Sequence, residues 1–582
     1  MKIGPIQDNA AGCELQPTAV KRGDRRPGHI ARRDLISAIG GAGFAGFFPI
    51  DVWAKTTDVV ETANGKIRGQ TVGPVQVFKG VRYGATTGGT NRFRPPQPVE
   101  KWAGVRDAFT PGYSAPQLIT SHDPLFAWYE QIEPVSEDCL FLNIFTPFAS
   151  HAARRPVMVW LHGGAWAQGA GTAPGFDGSR LAHEEDVVVV TINHRLNLFG
   201  FIWLDDRDEQ FGDSTNAGVL DMIAALRWVR DNIAAFGGDP TNITAFGQSG
   251  GGAKVTSLLA ASSARDLLHK GIAQSCSGSL RLTEPEEAAR LAHDIARKLG
   301  LGRPTGRSLQ EVPVARLLGA MSGTRTAHRP IIDDRTFARH PFDPDPAASA
   351  VGIPLMIGNV ATEARWTMAR DPRSFLLNAA DVKERVARLL HLQAADADRV
   401  IEAYRDATPA ASPSDLLSAI GTDYVYVRNT RREALLQSQQ APVFTYLFDW
   451  RTPVMGGVLR SPHAVELPFL FGTTAVASNF VGTGADLEPM RRITMATWAG
   501  FARSGNPANR FLPRWPQYGQ DRKAVMVLNR ESRVEDDPGA QARAALNDLR
   551  WYEYSMPVSY SAPIPSSAAP QGTHAERIGL DA

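Results

Sequence analysis

The segment Phe236–Ala253 reads FGGDPTNITAFGQSGGGA, and it decides the fold of this chain. The apolar run Ile243–Phe246 is typical of a buried strand, and an apolar helical pattern begins at Ala253. Between them lies a tight turn of the form Gly-x-Ser-x-Gly. A strand, a glycine-flanked serine and a helix in this order predict a strained turn that lifts the Ser249 hydroxyl out of the sheet.

Ser249 is therefore predicted to be a nucleophile. Glycines two positions before and two after the serine leave room for the crowded backbone, and the following helix offers N–H groups and its positive dipole end to a developing oxyanion. The alternatives are an ordinary glycine-rich turn and a phosphate-binding loop. Such a loop needs a Gly-Lys-Ser/Thr run, whereas Lys254 lies too far along the chain. The turn therefore favours nucleophilic catalysis.

Strands and helices alternate on both sides of this turn. Short, fully apolar runs bounded by turns are typical of strands buried on both faces of a parallel sheet. The sequence therefore predicts an α/β fold, with a mostly parallel central sheet flanked by helices, antiparallel strands near its start and helical insertions over the site. The supporting segments are the predicted strands 156–161, 187–192, 354–358 and 443–448, the meander around 59–62 and 75–78, the helix 217–235, and the largely helical, polar region 284–440.

A second glycine loop, His162-Gly163-Gly164-Ala165-Trp166, follows the predicted strand that ends at Leu161. Small residues let its backbone approach a substrate carbonyl, and a loop of this type supplies oxyanion-hole amides in α/β-hydrolases. By itself a Gly-Gly pair is more often an ordinary turn. Its place at the end of a strand, ahead of the elbow serine, favours the oxyanion role, with His162 shaping the loop.

These motifs resemble those of the type-B carboxylesterase family, the cholinesterase-like serine esterases that include bacterial carboxylesterases of the p-nitrobenzyl-esterase type. The resemblance covers roughly residues 58–555, and the matching segments occur in the family's order. They are Phe78–Tyr83, Glu137–Ile144, Asn193–Leu196, Phe199–Phe201 and Phe236–Ser249. The resemblance implies an α/β-hydrolase fold and hydrolysis of carboxylic esters by a serine, histidine and glutamate triad through an acyl-enzyme.

The resemblance also assigns the other catalytic residues. The family's acid follows a strand ending in Ile-Gly, which implies Glu363, with Asp333 and Asp334 as weaker alternatives. The family's histidine precedes a Glu-hydrophobic-Pro-Phe run, which implies His463, whereas His340 is interpreted as structural. The implied oxyanion-hole donors are the backbone N–H groups of Gly164, Ala165 and Gly250. The chain order serine, glutamate, histidine agrees with this fold.

Some positions depart from the family pattern. Gln248 stands where the family usually has glutamate, and Gly250 where it usually has alanine, so the oxyanion amide is kept. Ala364 replaces the glycine that usually follows the acid. Ala115 stands where many relatives have the cysteine that pairs with the one at Cys139. Cys139 is therefore expected to be a buried thiol without a disulfide partner.

Substrate preference is where the sequence says least. Candidate pocket residues are Trp166, Gln248, Phe199 and Trp366, with Trp203 and Phe469 as further candidates. Buried aromatic residues of this kind are more often core than pocket. Small to medium esters are the expected substrates. The alternatives are an amidase, a lactonase or a lipase on the same scaffold, or a non-catalytic cholinesterase-like binding domain.

The composition excludes several classes of protein. The chain has 582 residues, 43% of them hydrophobic and 21% charged, with 62 Lys plus Arg against 60 Asp plus Glu. Because no basic block stands out in the body of the chain, no nucleic-acid partner is expected, and the expected partners are an ester and water. No His/Cys cluster has zinc-site spacing, and neither a metal nor an organic cofactor is expected.

The N-terminus resembles a twin-arginine export signal. A basic leader precedes Arg32-Arg33, a weakly apolar run spans Leu35–Ile50, and Val52-Trp53-Ala54 offers a cleavage site. The apolar run is shorter than the roughly 20 residues of a spanning helix. Residues 1–54 are therefore predicted to be an export signal to the periplasm or beyond, 55–555 a single domain, and the Pro-, Ser- and Ala-rich 556–582 a disordered tail. The alternative is an N-terminal helix packed on the body, or an uncleaved anchor.

Overall fold

The computed structural model describes residues 55–552, apart from 119–122, 131, 133, 207, 278–279 and 324–327. The predicted export signal, residues 1–54, and the predicted tail, residues 556–582, lie outside the described residues. Within the described ranges, no helix combines the length and the apolar character needed to cross a membrane.

The described strands belong to one large mixed sheet. They are β1 (Lys55–Thr62), β2 (Gly65–Val72), β3 (Val75–Arg82), β4 (Val105–Asp107), β5 (Phe141–Thr146), β6 (Arg155–Leu161), β7 (Val188–Ile192), β8 (Gly238–Gln248), β9 (Lys270–Gln274), β10 (Leu355–Val360), β11 (Val443–Phe448), β12 (Ala524–Leu528) and β13 (Arg533–Asp536). Their order is β1-β2-β3-β5-β7-β6-β8-β9-β10-β11-β12-β13, with β4 beside β2. From β7 to β12 all neighbours run parallel, whereas β1, β2, β3, β5 and β7 pair antiparallel in succession. The predicted α/β fold is confirmed.

Helices cover the sheet and form the insertions. They are α1 (Ala127–Glu130), α2 (Ser179–Glu185), α3 (Asn197–Gly200), α4 (Ala217–Asn232), α5 (Gly250–Ala260), α6 (Pro285–Leu299), α7 (Gly306–Gln310), α8 (Val314–Ala320), α9 (Arg365–Met368), α10 (Ala379–Leu390), α11 (Ala394–Ala407), α12 (Pro413–Thr422), α13 (Arg428–Gln437), α14 (Leu467–Phe471), α15 (Ser478–Val481), α16 (Leu487–Ser504) and α17 (Ala540–Arg543). A π-helical turn, Asp423–Val427, joins α12 to α13.

Strand β6 shows why the apolar runs form buried strands. Its side chains alternate between two hydrophobic clusters on opposite faces of the sheet: Val157, Val159 and Leu161 lie in one, and Met158 and Trp160 in the other. Because both faces are covered, every position from 157 to 161 is apolar rather than every second one.

The segment before the elbow differs slightly from the prediction. The α-helix α4 stops at Asn232 and continues as a 3₁₀ turn over Ile233–Phe236, which ends at Gly237 with φ +85°. Glycine adopts this left-handed conformation without steric cost, so it terminates the helix. β8 then begins at Gly238, earlier than the predicted Ile243, and its pairing with β6 carries an irregularity near Arg155.

Candidate active site

Ser249 lies in the sharp turn between β8 and α5. Its backbone has φ +60° and ψ −124°, a conformation that non-glycine residues rarely adopt. The turn is held by the Ser249 N–H, which donates to the Gln274 carbonyl over 2.8 Å. A Cβ on Gly251 would lie 2.0 Å from the Leu161 carbonyl oxygen, so the close approach of α5 to β6 requires glycine there.

Glu363 and His463 are hydrogen-bonded directly. Glu363 follows β10 and His463 follows β11, the parallel neighbour of β10, so both lie at the carboxyl edge of the sheet where β8 also ends. His463 Nδ1 lies 2.5 Å from Glu363 Oε2. The Val360 N–H donates to Glu363 Oε1 over 2.9 Å, and the carboxylate is fully buried. A carboxylate at Nδ1 selects the tautomer in which Nε2 can accept a proton.

The other ring nitrogen of His463 contacts the residue before the serine. Gln248 Nε2 lies 3.0 Å from His463 Nε2, and the Tyr129 hydroxyl donates to Gln248 Oε1 over 3.0 Å. Gln248 and His463 are both buried. The structure thus brings Gln248, His463 and Glu363 into one hydrogen-bonded line, adjacent in the chain to Ser249.

The loop after β6 meets the elbow closely. Gly164 has φ +86° and Ala165 φ +54°, both left-handed. A Cβ on Gly250 would lie 2.3–2.5 Å from the carbonyl oxygen, Cα and N of Ala165, so the two turns are in backbone contact. Within the described part of the chain, the N–H groups of Gly164 and Ala165 donate to no partner. Two unengaged amides in a loop that touches the elbow fit the requirement of an oxyanion hole.

A buried lysine is hydrogen-bonded to the start of the loop that follows β6. Lys254, on the helix that follows the serine, donates from Nζ to the His162 carbonyl over 2.8 Å, and Nζ lies 5.6 Å from the centre of the Trp166 ring. The side chain is fully buried, and burial lowers the pKa of Lys254 well below its usual range. No motif in the sequence indicates this role for Lys254, which lies too far from the turn to be a phosphate-loop lysine.

His162 and His194 are stacked beneath the same loop, with ring centres 4.9 Å apart. Burial, and secondarily the neighbouring Lys254, lower the pKa of both rings well below the usual range. His162 Nδ1 lies 2.9 Å from the Gly163 carbonyl oxygen. Both rings are therefore neutral, and the loop-shaping role of His162 stays a prediction that its contact with Gly163 supports.

The candidate pocket residues fall into different places. Trp366 lies with its ring centre 6.1 Å from that of His463 and 4.2 Å from that of Phe126. Trp166 points away from this group, with its ring centre 5.2 Å from that of Phe201.

The other aromatic candidates pack in hydrophobic clusters. Phe199 stacks on Phe93, with ring centres 6.2 Å apart, and Trp203 packs against the same cluster. Phe469 is fully buried between Phe448 and Trp450. The described contacts therefore bring Trp366 and Gln248 to His463, and do not bring Phe199, Trp203 or Phe469 there.

Two tyrosines at the site were missed from the sequence. Tyr129, in the short helix α1, contacts Gln248, and Tyr426, in the π-helical turn, has its ring centre 5.0 Å from that of His463. A π-helical turn often marks a functional site, but it leaves no signal in hydrophobic periodicity. No motif near Tyr129 indicates its position, which only the folded chain establishes.

The alternative acids and the alternative histidine lie elsewhere. Asp333 accepts from the Asn216 side chain and from the N–H of Phe337, so it caps a turn. Asp334 is exposed in the same turn. His340 accepts from the Leu282 N–H and lies 3.1 Å from Glu284. Among the described contacts, only Glu363 gives His463 a carboxylate partner.

A second buried carboxyl group lies three residues after His463. Glu466 Oε1 accepts from Gln274 Nε2 over 3.0 Å, and Gln274 Oε1 accepts from the Trp498 indole over 3.0 Å. Burial, and secondarily the charge of Glu363, raise the pKa of Glu466 to about 8. The Glu466 carboxyl therefore holds its proton to a higher pH than an ordinary glutamate does.

The expectation for Cys139 agrees with the structure. Cys139 is a fully buried free thiol, and Ala115 is buried in the same hydrophobic cluster. Burial raises the pKa of the Cys139 thiol, so the residue is unreactive. In the described ranges, no group of three or more His, Cys, Asp or Glu side chains is arranged to hold a metal ion.

Comparison with known proteins gives a consistent answer. A family model described as the carboxylesterase family matches residues 56–545. The para-nitrobenzyl esterase of Bacillus subtilis (strain 168) is 34% identical over 502 residues, which cover 84% of this chain and 99% of that protein. The phenmedipham hydrolase of Pseudarthrobacter oxydans is 32% identical over 492 residues, 82% of this chain and 96% of that protein.

A solved structure agrees at the level of the fold. The crystal structure of the Geobacillus stearothermophilus carboxylesterase Est55 superposes with a TM-score of 0.73 at 39% identity, covering 84% of this chain and 99% of that one. The similarity therefore extends over nearly the whole length of these proteins.

Proposed function

This chain belongs to the carboxylesterase family and hydrolyses carboxylic esters, and from that premise we propose which of its residues perform the reaction. Ser249 is the nucleophile, His463 the general base and acid, and Glu363 the group that orients the imidazole. His463 Nε2 takes the hydroxyl proton as Ser249 Oγ attacks the ester carbonyl. The protonated histidine then gives that proton to the departing alcohol. Water repeats the sequence on the acyl-enzyme and releases the acid.

The oxyanion is held by backbone amides. We assign this role to the N–H groups of Gly164, Ala165 and Gly250, because the first two have no described acceptor and the third starts α5, whose dipole is positive at that end. The tetrahedral intermediate carries its charge on the former carbonyl oxygen. Loss of one such donor typically costs about 3–4 kcal/mol of transition-state stabilisation.

The observation that carries this assignment is the His463–Glu363 hydrogen bond at the edge of the sheet where the Ser249 turn also lies. Three loops after three parallel strands converge there, although their residues are far apart in the chain. The order serine, glutamate, histidine is the one that this fold uses.

The first test is hydrolysis of p-nitrophenyl acetate, butyrate and octanoate by the purified protein and by Ser249→Ala. We expect the variant to lose three or more orders of magnitude in kcat, as nucleophile substitutions do in serine hydrolases. His463→Ala should lose a similar amount. A wild type no faster than Ser249→Ala, with both folded, would contradict the assignment.

For the substrate, we propose small to medium esters with an aromatic group. The support is the ring cluster beside His463, formed by Trp366, Phe126, Tyr129 and Phe480, and two relatives named for para-nitrobenzyl and phenmedipham substrates. Aromatic walls favour flat apolar ligands.

Comparison of benzyl, phenyl and ethyl esters of one acid tests this proposal, with the matching anilide and a lactone as the alternatives. We expect kcat/KM to be highest for the aryl esters. A preference for the anilide or the lactone would move the protein to the amidase or lactonase class, and a preference for the octanoate in the p-nitrophenyl series would move it to the lipases.

We further propose that residues 1–54 direct export by the twin-arginine route, that residues 55–555 form one folded domain and that residues 556–582 are a disordered tail. The support for export is the Arg32-Arg33 pair before a weakly apolar run that ends in Ala54. Expression in a bacterium with a twin-arginine translocase tests it. The wild type should reach the periplasm without residues 1–54. The double variant Arg32→Lys with Arg33→Lys should stay in the cytoplasm and keep these residues. If the wild type and the double variant were found in the same compartment, export by the twin-arginine route would be contradicted.

A further inference from the structure

Four buried side chains form one hydrogen-bonded line through the proposed general base. The Tyr129 hydroxyl donates to Gln248 Oε1 over 3.0 Å, Gln248 Nε2 lies 3.0 Å from His463 Nε2, and His463 Nδ1 lies 2.5 Å from Glu363 Oε2. The exposed fractions are 8% for Tyr129, 4% for His463 and 0% for the other two. Each group therefore depends on its neighbours, not on water, for its hydrogen bonds.

The direction of each hydrogen bond follows from chemistry. A charged Glu363 can only accept, so Nδ1 of His463 carries a proton, and in the neutral ring Nε2 has a lone pair. Gln248 must then present its N–H to Nε2 and its carbonyl to the Tyr129 hydroxyl. Tyr129 is itself fixed, because its oxygen lies 1.8 Å from where a Cβ of Gly163 would be, against the oxyanion loop.

Protonation of His463 breaks this pattern. The imidazolium carries a proton on Nε2, and that N–H would face the N–H of Gln248, two donors without an acceptor. To accept from the imidazolium, the Gln248 carboxamide must turn by about 180° about its terminal torsion. The Tyr129 hydroxyl must then change from donor to acceptor. A carboxylate at position 248 would instead accept from the imidazolium without turning.

We propose that Gln248 is a positioning residue that keeps the resting His463 neutral, with Tyr129 setting the orientation of its carboxamide. This rests on the proposed function, in which Nε2 must be unprotonated when the substrate arrives. Gln248 and the Ser249 hydroxyl then compete for the same lone pair, and Gln248 releases it as the serine reacts. Among the described residues, the titratable groups that also contact the ring are Glu363 after β10 and Tyr426 in the π-helical turn, and Glu466, ahead of α14, lies near Glu363.

The test is the pH dependence of kcat/KM on p-nitrophenyl butyrate for the wild type, Gln248→Glu, Gln248→Met and Tyr129→Phe. In Gln248→Glu the midpoint of the acid limb should rise by about one pH unit or more, because an adjacent carboxylate favours the protonated ring. Tyr129→Phe should raise it less, since it only frees the carboxamide to turn. Gln248→Met should fall between the wild type and Gln248→Glu.

Gln520→Glu is the matched control, because it makes the same charge change on an exposed turn before β12. It should leave the acid limb where it is in the wild type. A merely structural role for Gln248 would lower kcat/KM in Gln248→Met and Tyr129→Phe without moving the midpoint. Midpoints in Gln248→Met and Tyr129→Phe equal to that of the wild type would overturn the proposal.

A second readout does not require turnover. In protein labelled with ¹³C at histidine Cε1, the signal lost in His463→Ala identifies this ring, and its titration midpoint can be followed directly. Gln248→Met should raise that midpoint relative to the wild type, and an unchanged midpoint would overturn the proposal. If the wild type hydrolysed no ester faster than Ser249→Ala, the proposed function would fail while this titration still tested the Gln248 contact.

Discussion

At the scale of single residues, the site depends on charges placed where water cannot reach them. Glu363 is fully buried, yet its carboxylate receives a backbone N–H and the imidazole of His463. These hydrogen bonds offset the cost of burying a charge. The neighbouring Glu466 is also fully buried; it accepts from Gln274 Nε2, and burial raises its pKa to about 8.

Glu363→Gln should reduce kcat about 10⁴-fold on p-nitrophenyl butyrate. A carboxamide can donate to Nδ1, which would favour the tautomer with its proton on Nε2, and that tautomer cannot act as the base. Asp333→Asn is the comparison, because Asp333 was the alternative acid and caps a turn instead. If Asp333→Asn lost activity and Glu363→Gln kept it, the assignment of the acid would be wrong.

Lys254→Met should lower kcat roughly tenfold or more with little change in KM. The substitution removes the donor that holds the His162 carbonyl, so the oxyanion amides lose their alignment. Weaker inhibition by a trifluoromethyl ketone, which mimics the tetrahedral adduct, should accompany the loss.

Lys298→Met is the matched control for that experiment. Lys298 also donates to backbone carbonyls, those of Ala320 and Ser322, but at the end of α6 in the helical insertion. It should leave kcat and inhibition unchanged. Equal effects of the two lysine substitutions would show that the Lys254 contact has no specific role at the oxyanion loop.

At the scale of elements, the elbow is a place where β8, α5 and the loop after β6 touch through their backbones. Glycine is required there because a side chain would occupy the space of a neighbouring main chain. The strained φ of Ser249 persists because these contacts hold it from both sides. Helix α5 therefore starts at a position that packing imposes and that local preference alone would not select.

Gly251→Ala should destabilise the protein by about 1–3 kcal/mol or more, because its Cβ would lie 2.0 Å from the Leu161 carbonyl oxygen. Gly319→Ala, in helix α8 with no atom within 4 Å of the added methyl, should stabilise it by about 0.4–1 kcal/mol. Urea unfolding of both variants measures the two values. The same sign for both would contradict the packing described for the elbow.

At the scale of the whole molecule, the pH dependence of stability should carry the signature of Glu466. Its pKa is raised from 4.5 in the unfolded chain to about 8 in the folded protein, so the folded state binds an extra proton between these values. The stabilisation that this proton gives the folded state is fully present below pH 4.5 and is lost as the pH rises through about 8. Between these two pH values, the contribution of Glu466 to the free energy of unfolding falls by about 1.4 kcal/mol per pH unit.

Glu466→Gln removes this titration while keeping the size of the side chain. The free energy of unfolding, measured in urea at pH 5, 6.5 and 8, should decline with pH more steeply in the wild type than in Glu466→Gln. Parallel pH profiles for the two proteins would show that Glu466 does not bind the extra proton.

Much of this protein could be predicted from its sequence because the deciding features are local. The apolar runs of β6, β7, β10 and β11 and the glycines around Ser249 indicated buried parallel strands and an elbow, and the resemblance of several motifs indicated the family. Backbone conformation and burial on both faces restrict which residues can stand at such positions. Those restrictions can be read one segment at a time.

Only the tertiary structure decided which side chains meet at the site. Tyr129, Tyr426 and Lys254 come from a short helix, a π-helical turn and a helix interior, and no spacing in the chain relates them to His463 or to the oxyanion loop. Phe199 and Trp366 were both candidate pocket residues, yet one packs on Phe93 and the other beside His463. The physical reason is that such contacts join residues distant in the chain. They depend on how whole helices and strands pack together, and the sequence of a single segment does not determine that packing.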